Sequence, residues 1–199
     1  GTMTLSTLAA GNDNASAVTD WQRACTGKVT LAETLASWLQ EIAPGAAFVQ
    51  YSSLNGFFGG HSAGFYGAAN ALQGSLTDRI NADAKLRAWA LHWSLWEGMG
   101  MSARLNMHQI AMARNQGYLA LQQDDAQHLL AALLTQAPGN YYIGVDEAHP
   151  AISSWIHNAM DTWHWRSTCL AEAGANVMHF SLLLSRAAQC LPGYRARIG

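Results

Sequence analysis

The sequence predicts a mainly α, single-domain fold with at most a small β element, and three observations carry that expectation. Apolar residues recur at helical spacing in stretches that begin near Asn81, Met101, Asp124 and Pro150. Only residues 47–51 and 141–145 read clearly as strands. No internal repeat or linker interrupts the 199 residues, a length that fits one domain with a substantial core.

Taken in order, residues 1–17 are small and polar around Gly11-Asn12-Asp13-Asn14 and form a loose lead, leaving 18–199 as the helical domain. Thr19 or Asp20 can cap the first helix. Leu31, Leu35, Trp38 and Leu39 repeat at i, i+4, i+7 and i+8 until Pro44-Gly45 closes the helix. Residues 46–61 are irregular or extended. A second helix spans 62–80, interrupted near Gly74, and a third runs from Asn81 or Asp83 to Glu97. Gly98-Met99-Gly100 ends it, a fourth covers 101–122, and Asp124 and Asp125 open a fifth to Thr135, where acidic side chains suit the positive end of the helix dipole.

Pro138-Gly139-Asn140 turns the chain into the strand-like 141–145. Pro150 then suits a first helical position, and Ile152, Trp155, Ile156, Ala159, Met160, Trp163 and Leu170 share one face at 3.6 spacing. The adjacent pairs Ser153-Ser154 and Trp155-Ile156 break strand alternation there. Beyond a break near Gly174, a terminal helix carries Val177, Met178, Leu182 and Leu183, making six or seven helices.

Composition excludes some functions. With two lysines, Lys28 and Lys85, and a formal charge of −2, there is no basic patch for nucleic acid. No apolar run reaches membrane-spanning length, and no basic head precedes an apolar core as in a signal peptide. Cys25, Cys169 and Cys190 show no metal-type pairing and are odd in number, which points to a reducing compartment such as the cytoplasm. Half the residues are apolar and only 12% charged, so apolar area beyond one core is expected to serve an interface.

The segment that most directly names a chemistry is Gly60-His61-Ser62-Ala63-Gly64, a G-x-S-x-G turn between an extended run and a helix. Two glycines permit the sharp turn that exposes a nucleophilic hydroxyl near backbone N–H groups. An α/β-hydrolase needs more strands than this sequence offers, and a Gly-rich turn between two elements is the simpler account. Nucleophilic catalysis also needs a base, for which His149 stands after the second strand candidate, and an orienting carboxylate, for which Asp161 or Asp146 is the choice. The order of a Gly-Gly-x-nucleophile at a helix start, a helical stretch, an extended segment and a histidine resembles papain-like cysteine enzymes, which would imply an α+β fold with Ser62 in the cysteine's position. The resemblance provides no second strand for an orienting residue.

Two histidine groups remain. His157, Asp161 and His164 at i, i+4 and i+7 would share one helix face; that face continues into Thr168 and Glu172 and reads as solvated, so no metal is assigned. His92 and His108 each fall in an apolar stripe, the first with Trp89, Trp93 and Trp96. If Gly98 to Gly100 reverses the chain, the two imidazoles are level across a helix pair and shielded, either as a binding pocket or as buried core histidines. The residues support two functions: a small hydrolase or acyl-transferring enzyme using Ser62, His149 and Asp161, or a non-catalytic helical module that binds a small hydrophobic ligand or a protein partner through Trp89, His92, Trp93, Trp96 and His108. The sequence leaves the cofactor undetermined.

Overall fold

The computed structural model describes residues 14–60, 64–100, 102–146, 148–159, 163–170 and 175–182. A single helix opens it: α1 (Asn14–Cys25) passes through a π turn at Thr26–Thr30 into α2 (Leu31–Ile42). Then come β1 (Ala47–Ser53), α3 (Gly64–Ala82), β2 (Arg87–Trp93), β3 (Leu95–Trp96), α4 (Met107–Arg114), β4 (Ala120–Leu121), α5 (Gln123–Leu133), β5 (Gly139–Ile143), α6 (Pro150–Ala159), β6 (Trp163–Leu170) and β7 (Ala175–Leu182).

The strands overturn the mainly helical expectation and its papain-like alternative, because the centre of the molecule is a five-stranded sheet in the order β1-β2-β5-β7-β6. β1, β2 and β5 run parallel, with Ser53 opposite Trp93 and Trp93 opposite Ile143 at their carboxyl ends. β7 pairs antiparallel with both β5 and β6. Parallel strands joined through helices make this an α/β fold.

The largest misreading is residues 81–97. Trp89, His92, Trp93 and Trp96 fit a helical stripe, yet residues 87–93 form β2, buried along its length after Arg87 because the sheet is covered on both faces. A strand buried on both sides has no polar alternation to show, and its apolar run mimics a buried helix. The 101–122 helix reduces to α4, started by a capping box in which the Asn106 side chain accepts from the Gln109 N–H and Gln109 returns the bond to the Asn106 N–H. It ends at Arg114, and the turn after it contains Gly117, whose φ of +82° suits glycine. The helix predicted from Pro150 to Leu170 stops at Ala159, and both β6 and β7 stand where helix was expected.

Within α3 the chain does not break at Gly74. A Cβ there would lie 3.1 Å from the Asn140 side-chain oxygen and 3.3 Å from His92 Cε1, so the glycine lets the helix press onto β2 and β5. Three clusters fill the interior. One packs Trp89, Leu91, Trp93, Tyr141 and Ile143 against Leu129 and Leu133 of α5. A second joins Leu54, Tyr118, Tyr142, Val145 and Ile152, and the third sets Leu76 and Ile80 of α3 against Ala32, Ala36, Leu86 and Ala88.

Candidate functional site

In open α/β sheets, ligands bind beyond the carboxyl ends of the parallel strands. Here that edge opens into a cleft of about 1110 Å³, whose lining includes Lys28, Ser53, Tyr66, Trp93, Trp96 and Met99. Each polar group is set by its own element. Ser53 is the last residue of β1, Tyr66 lies in the first turn of α3, and Lys28 sits in the middle of the π turn. Single π turns inside α-helices are frequent at functional sites, because the extra residue redirects a side chain.

These three groups converge with Asn70. The Lys28 ammonium lies 5.4 Å from the centre of the Tyr66 ring and donates to the Tyr51 carbonyl at 3.5 Å and to Gln73 Oε1 at 3.3 Å. Burial raises the Tyr66 phenol above its usual pKa, and hydrogen bonds with the Ser53 and Asn70 side chains pull it back down. Burial pushes the Lys28 ammonium below its usual value. The Asn70 amide donates to the Tyr66 carbonyl at 2.6 Å, and Ser52 Oγ lies 3.2 Å from both the Asn70 carbonyl and Asn70 Oδ1, so the start of α3 is tied to the end of β1. A phenol beside a serine hydroxyl, with a desolvated ammonium close by, is suited to delivering a proton to an oxygen that gains negative charge.

Behind the cleft, His92 on β2 is buried and stacks on Tyr142 at 4.5 Å. Asn140 donates through Nδ2 to Asp78 Oδ1 at 2.7 Å and to the Gly74 carbonyl at 3.4 Å, so its Oδ1 accepts from His92 Nε2–H at 2.9 Å. That order places a proton on His92 Nε2. Burial lowers the His92 pKa to about 4, the Asn140 bond and the Ser53 backbone act in the opposite direction, and the Lys28 charge lowers it again. His92 Nδ1 nonetheless has no partner in hydrogen-bonding geometry among the described residues. Burial raises Asp78 to about 6 against the pull of Asn140, although the residue still reaches solvent.

The residues singled out from sequence are dispersed. Ser62 and Asp161 lie outside the described residues. His149 stands half-buried before α6, its Nδ1 accepting from the Ala151 N–H at 3.3 Å, and it does not line the cleft. Trp93, Trp96 and His108 do line it, whereas Trp89 and His92 do not. The level pair of shielded imidazoles is not found: His92 is on a strand, and His108 is exposed on α4. The proposed face of His157, Asp161 and His164 is likewise broken, since His157 falls on α6 and His164 on β6.

Sequence reasoning missed Lys28, Ser53, Tyr66 and Asn70. A signal was present: Tyr66 and Asn70 stand at i and i+4 on a predicted helix, and a serine pair, Ser52-Ser53, directly follows the strand candidate 47–51 that precedes it. Gly60 has a packing role instead, because a Cβ there would meet the Asn55 side-chain oxygen at 2.6 Å.

Comparison with known proteins agrees with this geometry. Residues 8–98 match the family profile described as the KR domain. The chain is 39% identical over 89 residues to polyketide synthase GfsA of Streptomyces halstedii, covering 45% of this chain, and 34% identical over 101 residues to polyketide synthase GfsE of the same organism, covering 49%. It spans only 1% and 3% of those relatives' lengths. A solved multidomain structure with adenylation, ketoreductase and pseudo-Asub parts, from a keto acid-selecting NRPS module, superposes with a TM-score of 0.60 at 26% identity, over 79% of this chain and 12% of that one. These likenesses, together with the sheet, overturn both the hydrolase reading and the non-catalytic helical module.

Proposed function

We propose that the chain carries the proton-donating part of a ketoreductase, an oxidoreductase site that converts a ketone to an alcohol. The observation that carries this is the convergence of Tyr66, Ser53, Asn70 and Lys28 at the carboxyl ends of parallel strands. The similarity to the KR domain profile supports it.

In this reading the ketone oxygen accepts from the Ser53 and Tyr66 hydroxyls. As the carbonyl carbon is reduced, the oxygen becomes an alkoxide and takes the Tyr66 proton. The Lys28 ammonium, 5.4 Å from the centre of the Tyr66 ring, stabilises the phenolate left behind. Asn70 and Ser52 hold Tyr66 and Ser53 in register. Trp93, Trp96, Met99 and Met112 give the cleft a largely apolar wall that limits water around the developing charge.

The hydride, one hydrogen with two electrons, would come from a reduced nicotinamide dinucleotide, which leaves the proton on oxygen for Tyr66 to supply. The cleft's donor set fits its nicotinamide and ribose end, with Lys28, Ser94 and Asn55 as the groups to hold it. Among the described residues no glycine-rich strand-to-helix turn precedes β1 to take the pyrophosphate, so the fit extends to that end alone.

Tyr66→Phe tests the reading. Reduction of a simple cyclic ketone, followed by loss of nicotinamide absorbance, should fall by about 10²–10⁴-fold. The melting temperature should barely change, because the ring stays in place. Wild-type turnover in this variant would refute the assignment.

A further inference from the structure

Tyr66, Asn70, Gln73 and Thr77 stand at i, i+4, i+7 and i+11 of α3, so one polar stripe faces the sheet. Three of the four have a role or a partner of clear purpose: Tyr66 and Asn70 belong to the proton-donating group, and Thr77 accepts from Gln50 Nε2 at 2.7 Å. Gln73 is different. It is buried, with 6% of its surface exposed, and its side-chain oxygen accepts from Lys28 rather than from the sheet. Its position is fixed through the backbone, where its carbonyl accepts from Gln50 Nε2 at 3.4 Å and from Thr77 Oγ1 at 3.1 Å.

Lys28 needs such a partner. Its long side chain crosses from the π turn to the cleft, where the half-buried ammonium is partly stripped of water. The Tyr51 carbonyl at 3.5 Å is a long contact, and Gln73 Oε1 at 3.3 Å is the only side-chain acceptor found for it among the described residues. Gln73 is also neutral. A carboxylate at the same place would hold the ammonium equally well but cancel much of its field at the Tyr66 ring. A neutral acceptor fixes the charge in position and leaves its field intact.

We infer that Gln73 is a positioning residue that holds the Lys28 ammonium against Tyr66 without neutralising it. The inference rests on the ketoreductase reading for its purpose, though not for its geometry. The other titratable groups around Lys28 are Asp20 and Arg23 of α1, paired at 3.3 Å, Cys25 at the end of α1, the phenols of Tyr51 and Tyr66, His92 on β2 and His108 on α4.

The chain has two lysines, so isotope labelling of the side chain gives two titrating signals, with Lys85 as internal control. In Gln73→Met, of nearly the same size, Lys28 loses an acceptor for its charged form, and its midpoint should fall by about half a unit or more. In Gln73→Glu it should rise by about one unit or more. Lys85 should not move in either. Gln73→Met should also lower kcat by about tenfold while KM for the ketone stays within about twofold.

An unmoved Lys28 signal in a folded Gln73→Glu variant would overturn the contact, and unchanged kcat in Gln73→Met would overturn its catalytic purpose. If Gln73→Met does not fold, the Glu variant decides alone. Failure of the ketoreductase reading would show separately, as full turnover in Tyr66→Phe with the lysine shifts still present.

Discussion

On the face of the sheet that α5 covers, Trp89, Leu91 and Trp93 of β2 and Tyr141 and Ile143 of β5 meet Ala126, Leu129 and Leu133. On the face that α3 covers, the alternate residues of the same strands are His92 and Asn140, and β1 adds Gln50 and Ser52. One set of strands thus carries an almost wholly apolar layer on one side and, towards its carboxyl ends, a hydrogen-bonded polar layer on the other. The apolar face asks only for volume and burial. The polar face must partner most of its buried groups, with His92 Nδ1 and Gln50 Oε1 the exceptions on it among the described residues, and this restricts its positions to a few side chains. Stability and chemistry are thereby assigned to opposite sides of a shared backbone.

The largest stability effect expected on the apolar side comes from Leu129→Ala. Leu129 is fully buried, so truncation should cost about 2–5 kcal/mol in denaturant unfolding. Turnover measured well below the melting temperature should be unchanged. A loss of activity larger than the loss of folded protein would show that the two faces are not separable.

A smaller, pH-dependent effect belongs to the polar side. The folded-state pKa of His92 is depressed to about 4 from 6.5, so its contribution is present above pH 6.5 and is lost as pH falls towards 4. Asp78 has the opposite sign: its pKa is raised to about 6 from 3.8, so its contribution is present below pH 3.8 and is lost as pH rises to 6. Solvent around Asp78 weakens that opposing slope. Unfolding free energy should therefore rise from about pH 4 to 6.5, and His92→Gln should flatten or reverse the rise. A variant that kept the wild-type slope would place the titration elsewhere.

The smallest effect belongs to neither face. Glu33 of α2 and Arg79 of α3 form an exposed ion pair, and Glu33→Gln should move the melting temperature by less than about 2 °C. A larger shift would mean that this pair contributes more than a solvent-screened surface contact does.

The same division governs how much of the molecule the sequence reveals. α2 and α5 are legible because each has a buried and an exposed side, and β1 is legible from its β-branched and aromatic run. β2 is not, because both its faces are buried and helix and strand periods coincide over so short a run. Misplacing β2 carries a further error with it. Without a parallel neighbour, β1 has no carboxyl edge to mark as a site, and Ser53, Tyr66 and Asn70 remain ordinary polar residues. Lys28 is harder still, since its neighbours Gln73 and Tyr51 are 45 and 23 residues away. The glycine pair around Ser62 carries the recognisable motif, whereas the proposed proton donor, Tyr66, stands two residues after that motif ends.

The π turn between α1 and α2 acts as a change of phase within one helix. A π turn takes more residues per turn than an α-helix, so the face that α1 offers the cleft is not continuous with the face that α2 lays on the sheet core. Lys28 stands at the slip itself, and Asp20 and Arg23 before it line the cleft while Ala32 and Ala36 after it are buried in the core. A helix in constant register would have to choose one of these duties. Deleting a single residue at the turn, such as Gly27, would restore an even period and rotate one half of the helix relative to the other by about 100°. At this place the length of the chain is therefore as much a part of the site as the identity of its side chains.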